Sequence, residues 1–88
     1  MILIDPPAVP RWERLWSHLA SDTSYDEAHA FAAAHGIPER GWDRDPYDVP
    51  ADYSEAMVAA GAVPVSSREL VAALRAAGLR RPKAQLRG

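Results

Sequence analysis

Six side chains could do acid–base or metal chemistry: Asp5, His18, Asp22, His29, Asp45 and Asp48, with Tyr25 and Tyr47 as further donors or anion binders. Histidine and carboxylate together form the ligand sets of zinc, manganese and iron sites. No Walker loop, dinucleotide glycine fingerprint, nucleophile elbow or paired-histidine metalloprotease motif accompanies them. On a helix, His18 and Asp22 stand four residues apart and share a face. His29 follows Asp26 by three. Asp5 ends one apolar run and Asp48 sits in another, so parallel strands would bring them together. Two such carboxylates repel unless a cation or a shared proton joins them. The expected assignment is one divalent metal (Zn, Mn or Fe) held by His18, Asp22 and His29. Asp5 or Asp48 completes the shell or acts as general base on a bound water, and Tyr47 orients the substrate.

Each of these residues also has a purely structural explanation. His18 and Asp22 suit a solvated helix face, and Asp26–His29 an intrahelical pair. Asp5 could cap the Pro6-Pro7 turn, Asp48 could be an exposed loop acid, and His35 complements a helix C-terminus. Trp12, Trp16 and Trp42 could stack a base or a sugar, but the spacing of the first two suits core packing, which leaves Trp42 in its polar loop.

The elements that must position these groups read as follows. Met1–Ile4 is a short apolar strand ended by Asp5-Pro6-Pro7. Residues 6–11 read as a proline-rich loop. Trp12, Leu15, Trp16 and Leu19 fall at helical spacing. Ser24 and Glu27 have capping-box spacing for a helix to about His35, with Gly36 beyond its end. Tyr47-Asp48-Val49 is a second strand closed by Pro50, and a helix runs from Ala51 to Ala60 before Gly61. Ala62–Val65 is a third strand, demoted to an edge by Pro64. Ser66 and Glu69 cap a last helix that stops at Gly78. This β-α-α-β-α-β-α order implies one α/β domain over residues 1–79: a short, mostly parallel three-stranded sheet flanked by three or four helices. Residues 80–88 read as a basic tail.

Composition bounds the function. With 88 residues, 48% apolar and 25% charged, the chain has room for one small globular domain. It has no cysteine, which excludes disulfides, iron–sulfur clusters and cysteine nucleophiles. It has no apolar run long enough to span a bilayer and no signal-peptide pattern, so the expected location is the cytoplasm. Residues 1–62 carry eleven acidic side chains against four arginines; residues 63–88 carry six basic against one acidic. The acidic body makes nucleic acid an unlikely partner, with only the tail (Arg80, Arg81, Lys83, Arg87) to attract it. Pairing into a homodimer would add to the stability of so small a core.

Several stretches together resemble a known family: Ile4-Asp5, Trp16-Ser17-His18-Leu19, Ser21-Asp22-Thr23, Glu27-Ala28-His29-Ala30-Phe31-Ala32, Tyr47-Asp48-Val49, and Gly61–Val65 with Arg68-Glu69-Leu70. The chain is similar, over nearly all of residues 1–79, to a small bacterial and phage family known as domain of unknown function number four thousand and thirty-one. The resemblance brings no activity with it. It singles out Asp5, His18, Asp22, His29, Tyr47 and Asp48, the groups chosen above. One position departs: Pro46 stands where the family pattern has the His of a His-Tyr-Asp run. If that His is a ligand or base in relatives, its role here is absent or shifts to Asp45.

Two readings follow. One is a metal-dependent hydrolase acting on a phosphate- or ester-type bond of a small-molecule substrate. The other is a non-catalytic adaptor, in which the His/Asp set fixes loops and an exposed surface meets a protein partner. A metal-free His–Asp acid–base enzyme is a smaller third.

Overall fold

A computed structural model describes residues 1–42 and 46–80. The role considered for Asp45, and residues 81–88 of the basic tail, lie outside the described residues. The element order is β1 (Ile2–Ile4), β2 (Val9–Arg11), β3 (Arg14–Ser21), α1 (Tyr25–Ala34), a 3-10 turn (Glu39–Gly41), β4 (Tyr47–Pro50), α2 (Ala51–Ala59), β5 (Val63–Pro64) and α3 (Ser67–Ala76). The α/β class is as expected, but the sheet is mixed and five-stranded, with three helices among the described residues. Among the described residues its one parallel pair is β1 with β5; β1, β2 and β4 all pair antiparallel with β3.

The largest correction concerns residues 6–21. The expected helix over Trp12–Leu19 is strand β3, and half of the expected loop is strand β2. The two make a hairpin whose turn, Trp12-Glu13, has φ of 52° and 61°. That geometry ordinarily calls for Asn and Gly. Without those residues the turn leaves no mark in the sequence, and the chance 3–4 spacing of apolar groups reads as a helix. Trp12 is no core residue at all: it is 74% exposed at the hairpin tip.

β1 and β2 lie end to end along one edge of β3, and β4 takes the other. The N–H of Asp5 bonds the His18 carbonyl and that of Ala8 the Trp16 carbonyl. Between the pairs Ile4–Leu19 and Val9–Trp16, residues 5–8 stand opposite only residues 17 and 18. The two extra residues form a bulge at Pro6-Pro7, where neither proline has an N–H to give the ladder.

The sheet buries both faces. Ile2, Ile4, Leu19, Tyr47 and Val49 point to one face and pack under Ala28 and Ala32 of α1 and Met57 of α2. Leu3 and Ala20, next to them in sequence, point the other way and pack with Leu70 and Leu74 of α3. Strand alternation produces this division. α3 is closed by the full capping box of Ser66 and Glu69. α1 has half of one: Ser24 accepts from the Glu27 N–H, but the Glu27 carboxylate turns instead to Ser21 and the Met1 amino group. Gly36 and Gly78, which follow α1 and α3, have φ of 76° and 75°, the left-handed region where a Cβ is costly. Among the described residues no helix is long and apolar enough to cross a membrane.

Candidate functional site

The bulge after β1 puts the Asp5 side chain where a ladder carbonyl would stand. Its Oδ1 accepts from the His18 backbone N–H at 2.6 Å. Its Oδ2 meets His18 Nδ1 at 2.9 Å and accepts from Ser67 Oγ, on the first residue of α3, also at 2.9 Å. The other imidazole nitrogen, Nε2, faces Asp48 Oδ1 at 3.9 Å, too far for a hydrogen bond. Asp48 is the cross-strand neighbour of His18. Its second oxygen is held by Arg11 at 2.6 Å. The sequence thus brings Asp5 and Asp48 to one place, though through β3 rather than by parallel pairing. The group that stands between them is the His18 imidazole.

Burial is graded across this row. The Asp5 side chain is 3% exposed, that of Asp48 14% and that of His18 32%. For Asp5, burial is the largest single influence and pushes its pKa up. The bonds from the His18 ring, the His18 N–H and Ser67 together outweigh it, and the carboxyl ends below its ordinary 3.8. The Asp5 hydrogen bond raises His18 above its ordinary 6.5, against burial, with further help from the charges of Asp5 and Asp48. The result is a partly exposed histidine clamped at Nδ1 by a buried carboxylate, with Nε2 facing Asp48.

The other expected ligands are elsewhere. Tyr47 pairs with Leu19 across the strands, one residue along from the Asp48–His18 pair, so its side chain leaves the opposite face. It is buried, and its hydroxyl meets His29 Nδ1 at 2.6 Å. Trp42 packs on both rings, with centroids 4.5 Å from His29 and 5.0 Å from Tyr47. Tyr25 stands edge-on to Trp42, and its hydroxyl donates to the Leu79 carbonyl. Asp22 binds the Met1 amino group at 2.9 Å. His18, Asp22 and His29 therefore serve three different partners, with the two histidines on opposite faces of the sheet. The expected metal set is not assembled, because its spacing argument assumed a helix where β3 runs. Among the described residues no group of three or more His, Cys, Asp or Glu could hold a metal ion. Nor does Tyr47 reach the side that carries Asp5 and Asp48.

The model of a family described as "Protein of unknown function (DUF4031)" matches residues 2–77. The chain belongs to the DUF4031 family. No curated protein and no solved structure matches it.

Both polar clusters of this DUF4031 member fall inside the matched span. Pro46 is buried just before β4. His29 and His35 belong to α1 and its cap, so His18 is the one described imidazole on the Asp5–Asp48 face. Two contributors escaped the sequence. Arg11 was assigned to a loop, and only the hairpin carries it to Asp48. Ser67 follows the cap residue Ser66 with no signal of its own; its place at the start of α3 is what aims it at Asp5.

Proposed function

We infer that this DUF4031 member is an acid–base enzyme of hydrolase type in which His18 is the proton-transferring group and Asp5 its positioning partner. One observation carries this reading: Nδ1 is held by a buried carboxylate in a side chain that is about one-third exposed, while Nε2 faces Asp48, the acid that Arg11 pairs with. A base oriented by a carboxylate through its far nitrogen is the arrangement acid–base catalysts use. With its pKa raised, His18 is suited to act as the acid, giving the Nε2 proton to a leaving-group oxygen. Arg11, fork-shaped and permanently charged, suits a phosphate-type oxyanion next to it. Asp48 is placed to take a proton from an attacking water. The chemistry needs no ligand from Asp22 or His29.

The test is a comparison of the wild-type chain with His18→Gln on generic phosphomonoester, phosphodiester and carboxylic ester substrates. Acid–base catalysis is worth roughly 100-fold or more, so the variant should lose at least that much turnover while keeping its circular dichroism. Equal turnover by both proteins, or none by the wild type on any class, removes the reading.

A further inference from the structure

Arg11 and Asp48 also belong to the wall of a second feature, an open cleft of about 790 Å³ between the β2–β3 hairpin and the 3-10 turn. That volume is within the range of small-molecule sites, about 300–1,000 Å³. All three tryptophans of the chain line it. So do three arginines from three separate elements: Arg11 on β2, Arg14 on β3 and Arg40 on the 3-10 turn. Among the described residues of its lining Asp48 is the one acid. A chain with net charge −2, whose first 62 residues are strongly acidic, has gathered arginine here.

The hairpin tip is the second observation. Trp12 is 74% exposed and its backbone is left-handed, a conformation uncommon outside glycine. Its ring nonetheless has neighbours: it stands edge-on to Trp16 at 5.7 Å, with the Arg11 guanidinium 4.8 Å from its centroid. Behind it Trp16 Nε1 donates to the Arg11 carbonyl at 2.9 Å. Folding alone gives no reason to hold the largest apolar side chain in water on a strained turn. A pre-positioned aromatic plane flanked by guanidinium groups fits a ligand that is flat at one end and anionic at the other. Arg14 and Arg40 form no ion pair among the described residues, so their charge is open to such a ligand.

We propose that this cleft binds a nucleoside phosphate, either free or as a unit of a single strand, with the base stacked on Trp12 and the phosphate held by the arginines. Stacking tolerates any base because every base presents a π-face, and guanidinium forks match phosphate oxygens. The proposal deepens the acid–base reading by naming a substrate class, since Asp48 faces both His18 and the cleft. Binding is measured without turnover, so the two can fail separately.

Because every tryptophan lines the cleft, intrinsic tryptophan fluorescence excited at the red edge reports occupancy. The probes are AMP, adenosine, inorganic phosphate and an oligothymidylate of about ten nucleotides. Saturable quenching by AMP, the oligomer or both is expected, about tenfold or more tighter than with adenosine or in phosphate competition. The preferred probe distinguishes a free nucleotide from a strand. Oligomer binding should weaken with salt at a log–log slope near −2, for about three phosphates neutralised. Trp12→Ala, and separately the double variant Arg14→Ala/Arg40→Ala, should each weaken binding about tenfold with unchanged circular dichroism. His18→Gln should bind as wild type even where it has lost turnover. Adenosine quenching as well as AMP, a double arginine variant that binds like wild type, or no saturable quenching by AMP or oligomer up to about 10 mM, would overturn the proposal.

Discussion

Asp5 is buried, ionised and engaged at both oxygens, so the cost of its charge is met by His18 and Ser67. Asp5→Asn keeps the shape but loses the charge. It should destabilise the fold by about 2 kcal/mol, read as a shifted urea midpoint. The pH dependence follows from the two shifts. Asp5 is lowered in the folded chain, so its contribution is full above 3.8 and is lost as pH falls through its folded value. His18 is raised, so its contribution is full below 6.5 and is lost as pH rises through its folded value. The pair therefore stabilises most between pH 3.8 and 6.5. Urea midpoints should fall on either side of that window, and His18→Gln should flatten the alkaline side. At this scale the sequence was informative: Asp5, His18 and Asp48 stood out as chemical groups, and they do converge. Their partners Arg11 and Ser67 did not, because an arginine and a serine are unremarkable until the backbone aims them.

Among the elements, those with local signals were legible. Ser66 with Glu69, Gly36 and Gly78 mark helix ends by chemistry that acts within a few residues. The hairpin was not, because a turn of Trp12-Glu13 violates the residue preference that would announce it. That violation makes a prediction. Glu13 is exposed and has φ of 61°, so Glu13→Gly should stabilise the fold by roughly 1 kcal/mol, seen as a raised melting temperature. On the other face, Leu74 is fully buried beneath α3 in the small cluster with Leu3, Ala20 and Leu70. Leu74→Ala should cost about 2–5 kcal/mol in denaturant unfolding, since so small a cluster has little with which to refill the space.

For the molecule as a whole, β3 decides what meets what. Its alternation sends His18 to the α3 side and leaves Tyr47, bonded to His29, on the α1 side. Strand pairing between distant segments leaves no local trace, so the mixed sheet was invisible where the α/β class was not. The α-helical assignment of residues 12–19 then placed His18 and Asp22 on one face and suggested a shared ion. Separate faces have a thermodynamic signature. The stability losses of His18→Ala and His29→Ala should add in the double variant to within about 0.5 kcal/mol. A metal shared by the two would instead make the double variant little worse than either single one, because each alone would release the ion.

The central claim is that Asp5 holds His18 as a raised, Nδ1-anchored imidazole. NMR titration of ¹⁵N-histidine-labelled protein, wild type beside Asp5→Asn, tests it most directly. The account predicts that His18 titrates above 6.5 with Nδ1 as the protonated nitrogen of its neutral form, and that Asp5→Asn brings it down. A His18 that titrates at or below 6.5, unmoved by Asp5→Asn, would contradict it.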